Sequence, residues 1–120
     1  MYDHIGIKVK NVETSVRFYT AALAPLGHVL CSRDESGAGF GPKDSPALWL
    51  YVDRGASKSG THLAFRAPDR ATVDRFHAEG VNAGGRDHGP PGLRGDYGPS
   101  YYAAFLLDPD GNNVEAVCTS

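Results

Sequence analysis

The stretch His4-Ile5-Gly6-Ile7-Lys8-Val9-Lys10-Asn11-Val12-Glu13-Thr14-Ser15-Val16-Arg17-Phe18-Tyr19 decides the reading of this chain, because it recurs. Residues 62–77, HLAFRAPDRATVDRFH, lie on residues 4–19, HIGIKVKNVETSVRFY, without a gap. His4/His62, Thr14/Thr72, Arg17/Arg75 and Phe18/Phe76 are identical. Ile5/Leu63, Gly6/Ala64, Ile7/Phe65, Lys8/Arg66, Val9/Ala67 and Asn11/Asp69 keep their character. Self-similarity at a fixed spacing marks a duplicated structural unit, and here the matched roles say which unit.

Each window opens with period-two alternation, the mark of a strand with one face to bury. Ile5, Ile7 and Val9 oppose His4, Gly6 and Lys8; Leu63, Phe65 and Ala67 oppose His62, Ala64 and Arg66. Asn11 or Asp69 follows, a residue whose side-chain oxygen accepts a first-turn amide and starts a helix. The first helix carries Val12, Val16, Tyr19 and Leu23 on one stripe. The second carries Val73 and Phe76 and is expected to stop at Gly80. Shorter strands are expected at 28–33, 38–41 and 47–52, then at 101–107 and 113–119 around the turn Asp108-Pro109-Asp110-Gly111-Asn112. Residues 84–100, rich in Gly and Pro, read as a long binding loop or lid with at most one short strand.

The architecture that follows is α+β: two βαβββ modules, about 1–55 and 60–120, in a single domain spanning 1–120. The modules form a cupped mixed β-sheet with helices on the outer face. Asp53–Gly60 is the linker. The bulk properties agree. A 120-residue chain with 41% hydrophobic and 22% charged residues fits one globular domain, and 15 Gly with 8 Pro imply many turns. A net charge of −2 leaves no basic footprint for nucleic acid or an anionic membrane. No apolar run approaches the ~20 residues a bilayer helix needs. Met1-Tyr2-Asp3-His4 shows no basic lead into an apolar segment, so a cytoplasmic protein with Cys31 and Cys118 free is expected.

The chemistry lies on the strand faces turned away from the packing side. His4 and His62 hold equivalent positions there, and two residues further along stand Gly6 and Ala64, which leave space. Glu115 interrupts the apolar strand Asn113-Val114-Glu115-Ala116-Val117-Cys118. A lone carboxylate there costs several kcal/mol to desolvate unless it is paired or bound to a cation. Two neutral imidazoles and a carboxylate suit one divalent ion (Zn, Ni, Fe, Mn or Co) with positions left open. The competing readings are a solvated His4 and a Glu115 paired with Arg66 or Lys8. Trp49 and Tyr51 share a strand face and, with Tyr102, are candidates for an aromatic substrate pocket; Trp49 reads equally well as partial core. Arg66 and its counterpart Lys8 are candidates to hold a substrate anion. The run Gly37–Gly41 is not followed by a helix and is discounted as a phosphate loop.

The motifs Asp3-His4-Ile5-Gly6-Ile7, Ser15-Val16-Arg17-Phe18-Tyr19, Thr61-His62-Leu63-Ala64-Phe65 and Phe105-Leu106-Leu107-Asp108-Pro109-Asp110-Gly111-Asn112-Asn113-Val114-Glu115 together resemble the vicinal oxygen chelate superfamily. That superfamily comprises glyoxalase I, extradiol dioxygenases and the bleomycin and fosfomycin resistance proteins. The resemblance implies a cupped sheet around a divalent metal held by His4, His62 and Glu115. It also implies a homodimer and a small substrate chelated through oxygens, with Glu115 as the candidate catalytic group. Glyoxalase I has a fourth, carboxylate ligand in the last strand of its first module. Here that strand is Ala47-Leu48-Trp49-Leu50-Tyr51-Val52, with no acid. The trio is then closer to that of the dioxygenases, whose extra His and Tyr groups have candidates in His88 and Tyr97. The competing function is a metal-free resistance-type protein that sequesters a small molecule in the cup.

Overall fold

A computed structural model describes residues 1–55 and 60–120. The expected linker therefore lies partly outside the described residues. The first module runs β1 (Ile5–Val9), α1 (Val12–Leu23), a 3₁₀ turn (Ala24–Leu26), β2 (Val29–Asp34), β3 (Gly37–Gly41) and β4 (Leu48–Val52). The second runs β5 (His62–Arg66), α2 (Arg70–Asn82), β6 (Arg86–Leu93), β7 (Tyr102–Leu107) and β8 (Asn113–Cys118). The duplication read from the sequence is thus a duplication of structure. The strands pair as two four-stranded mixed sheets, β1-β4-β3-β2 and β5-β8-β7-β6, in place of one continuous hydrogen-bonded sheet.

The helix starts follow from their caps. Asn11 Oδ1 accepts from the Thr14 amide at 2.9 Å and Asp69 Oδ1 from the Thr72 amide at 2.7 Å. Phe18 and Tyr19 of α1, Phe40 of β3, Phe76 of α2 and Leu106 of β7 are all fully buried, and one core spans both modules.

Two expectations are corrected. Gly80 does not end α2. A Cβ there would come within 2.3 Å of a Leu106 methyl, so the glycine lets the helix lie close on β7. The chain turns instead past Ala83, at Gly84, whose φ of 103° favours glycine. The stretch 84–100 carries a longer strand than expected: residues 86–93 form an eight-residue strand on β7, with register breaks between Asp87 and Gly89 and between Gly89 and Gly92. Glycines and prolines that read as loop are accommodated at these bulges and on an outer edge strand.

The Asp108–Asn112 turn does more than reverse the chain. Asp108, buried, accepts from the amides of Asp110 and Asn112 at 2.9 and 2.8 Å and from Asn112 Nδ2 at 2.9 Å. It also accepts from the Tyr19 hydroxyl at 2.6 Å. Asp110 accepts from the Lys10 amide at 3.0 Å. The β7–β8 turn of the second module is therefore strapped to the β1–α1 corner of the first. Burial, and then the charge of Asp108, raise the Tyr19 phenol well above its ordinary value, so it stays a donor.

Candidate metal centre

Parallel pairing of β5 with β8 sets His62 opposite Asn113 and Ala64 opposite Glu115. Paired residues share a sheet face, so His62, Asn113 and Glu115 lie together on the face away from α2, and Ala64 leaves room beside the carboxylate. Glu115 is buried to 3% exposure; His62 stays 48% exposed. His62 Nε2 stands 3.1 Å from Glu115 Oε1, and the other carboxylate oxygen, Oε2, takes a hydrogen bond from the Tyr101 hydroxyl.

The tautomer of His62 follows from its second nitrogen. Nδ1 lies 3.1 Å from the carbonyl oxygen of Asn113, which only accepts, so Nδ1 carries the proton. In the neutral ring the Nε2 lone pair then faces a carboxylate oxygen. That arrangement is satisfied when the ring is doubly protonated or when a cation sits between the two. Metal-binding histidines are commonly held in this way, the far N–H donated to a backbone carbonyl. Beside them the Asn113 Oδ1 atom is buried and has no hydrogen-bond partner among the described residues. An imidazole nitrogen, a carboxylate oxygen and an unsatisfied amide oxygen on one face fit a divalent ion.

His4 is not gathered into this cluster. Its Nδ1 lies 2.7 Å from Asp3 Oδ1, and it is exposed. Among the described residues no group of three His, Cys, Asp or Glu side chains is set to hold a metal ion. His4 and His62 do line one cavity of about 360 Å³ between the starts of β1 and β5. Its walls are Ile5, Phe40 and Leu48 of the first module and Leu63 and Phe65 of the second.

The other candidates scatter by face. Trp49 stands opposite Gly6 in β1, the position in the first module that Glu115 holds in the second. The missing acid of that strand is thus replaced by an indole lying over Gly39. Tyr51, half exposed, covers Gly6, where a Cβ would come within 2.6 Å of its ring. Tyr102 turns the other way. Its hydroxyl donates to Asp74 of α2 at 2.6 Å and its ring lies under Arg70, so it belongs to the helix face and not to the cup. Arg66 is exposed on the His62 face at the far end of β5. Lys8 sits 3.9 Å from Asp53 in an exposed pair.

The residues that sequence reading missed are Tyr101, Phe105 and Arg94. Phe105 stacks on the His62 ring (centroids 6.4 Å apart, 23° between planes), and Arg94 lies over Phe105 at 5.4 Å. Tyr97 meets Tyr101 edge to face at 5.2 Å. Phe105 and Tyr101 were both legible, since alternation over the expected strand 101–107 sets Tyr101, Ala103 and Phe105 on the face opposite Tyr102 and Leu106.

A family model described as Glyoxalase/Bleomycin resistance protein/Dioxygenase superfamily matches residues 2–116. A glyoxalase/bleomycin resistance protein from Albidiferax ferrireducens T118 superposes with a TM-score of 0.81 at 28% identity, over 100% of this chain and 99% of that one. A glyoxalase/bleomycin resistance protein/dioxygenase family enzyme from Burkholderia phytofirmans PsJN gives 0.76 at 18% identity, over 98% of both chains. A glyoxalase/dioxygenase from Nostoc punctiforme gives 0.73 at 20%, over 100% of this chain and 91% of that one. No curated protein matches the chain.

Proposed function

Since the chain belongs to the glyoxalase/bleomycin resistance protein/dioxygenase superfamily, we propose that it is a divalent-metal-dependent enzyme of glyoxalase or dioxygenase type acting on a small substrate chelated through oxygens. The observation that carries this reading is the His62–Glu115 contact, in which a tautomer locked by the Asn113 carbonyl directs Nε2 at a buried carboxylate. His62 and Glu115 would hold the ion, with His4 as third ligand from across the shared cavity. A bound divalent ion acts as a Lewis acid toward substrate oxygens. Glu115, paired with Ala64 of the cavity wall, would be the group that holds or moves a proton beside the substrate. The cavity walls take the apolar body of the substrate, at a volume usual for small-molecule sites. A homodimer belongs to the same reading, supported by Val29 and Leu30 exposed on β2, the outer edge of the first sheet.

The test is reconstitution with Zn, Ni, Fe, Mn or Co in turn, followed by desalting and metal analysis. The wild type is expected to keep one ion per chain and His62→Ala to keep none. A wild type that keeps no ion with any of the five overturns the enzyme reading. It would leave the second one, a protein that sequesters a small molecule, which the mainly apolar cavity walls favour.

A further inference from the structure

Resting on the metal reading above, we infer that Tyr101 is a positioning residue that makes Glu115 a one-oxygen ligand. The geometry divides the carboxylate between two partners. Oε1 faces His62 Nε2 at 3.1 Å, and Oε2 receives the Tyr101 hydroxyl proton. A cation shared with His62 would therefore be held through Oε1, with Oε2 kept on the Tyr101 hydroxyl. The phenol is well placed to hold this division. Tyr101 stands just before β7, its amide bonded to Gly98 and its carbonyl oxygen accepting from the Arg94 amide at 2.8 Å. Its ring is backed by Tyr97.

The same loop reaches the other ligand. Arg94 donates to the carbonyls of Gly92 and Pro90 at 2.9 and 2.6 Å and lies over Phe105, whose ring stacks on His62. One segment, 94–101, thus touches Glu115 directly through Tyr101 and backs His62 through Phe105 of β7. Such outer partners typically change metal affinity by roughly 10–100-fold when removed.

The experiment is a Co(II) titration of the full chain followed by visible absorption, which reports affinity and coordination number together. Tyr101→Phe keeps the ring against Tyr97 and removes only the hydroxyl. The expected result is at least about tenfold weaker Co(II) binding, with weaker absorption bands as Glu115 engages through both oxygens. Tyr102→Phe, which removes a similar hydroxyl-to-carboxylate bond on the helix face, is expected to bind Co(II) like the wild type. Tyr101→Phe with wild-type affinity and bands overturns the inference and leaves the metal reading standing. Equal weakening in both variants overturns it as well, since the effect would then be general. A wild type that takes up no Co(II) overturns the metal reading and this inference with it. Thermal melts of the metal-free variants run alongside; if Tyr101→Phe does not fold, Tyr101→His, which retains a donor, is expected to bind more tightly than Tyr101→Leu, and equality of those two overturns the inference.

Discussion

Replacing Glu115 by Gln separates a ligand from a structural group, because the two roles predict opposite effects on the metal-free protein. Glu115 is buried to 3% exposure, so a purely structural carboxylate there would be missed. Gln keeps the shape and its carbonyl still accepts from Tyr101. His62, 48% exposed, is not left as a stranded buried charge. The metal-free stability of Glu115→Gln is therefore expected to change by less than about 1 kcal/mol, since the amide keeps the Tyr101 contact and the half-exposed His62 remains solvated. The metal-loaded protein behaves otherwise. At a free ion concentration a hundred times Kd, binding stabilises the wild type by about 2.7 kcal/mol. With an unfolding entropy of roughly 2.1 cal/mol/K per residue, a chain of 120 residues shifts Tm by about 4 °C per kcal/mol, so the ion raises Tm by about 11 °C. Scanning calorimetry with Co(II) and with chelator reads both quantities. Glu115→Gln is expected to lose most of the 11 °C increment while keeping its metal-free Tm. A metal-free loss of about 3 kcal/mol or more, or an undiminished increment, would refute the reasoning.

Two further outcomes follow from the packing. Tyr19→Phe removes one donor from the buried Asp108 carboxylate and loosens the strap between modules; a hydrogen bond to a charged acceptor is worth about 1.5–3 kcal/mol, so Tm should fall by roughly 6–12 °C, and a drop under 2 °C in calorimetry would contradict the strap. Burial holds the His28 imidazole below its ordinary value of 6.5, so between that value and the lowered one the unfolded chain binds the extra proton. Stability should therefore fall as pH drops through that window, and urea titrations of His28→Leu should show a shallower pH slope than the wild type; an unchanged slope rejects the assignment.

Much of the fold was legible because it rests on local periodicity. Ile7 and Val9, and Leu63 after them, alternate with His4, Gly6 and His62, and the structure buries the first set and exposes the second. Asn11 and Asp69 cap their helices by bonds that reach only three residues. The full extent of the strand 86–93 was not legible because its glycines and prolines carry no alternation. It is held by antiparallel pairing with β7, across the intervening segment 94–101.

The sequence by itself determined the duplication, the α+β class, and the placing of His62 and Glu115 on one face, since alternation along a strand is a property of the chain alone. Tertiary structure decided which side chains meet. Registers between β5 and β8 set Glu115 beside His62, the carbonyl of Asn113 chose the imidazole tautomer, and the 94–101 segment brought Tyr101 to the carboxylate. It also turned Tyr102 toward α2 and set Asp108 against Tyr19. These depend on distances between residues 14 to 89 positions apart, and a hydrogen bond that long-range has no signature in local pattern; it exists only once the sheets have closed around the core.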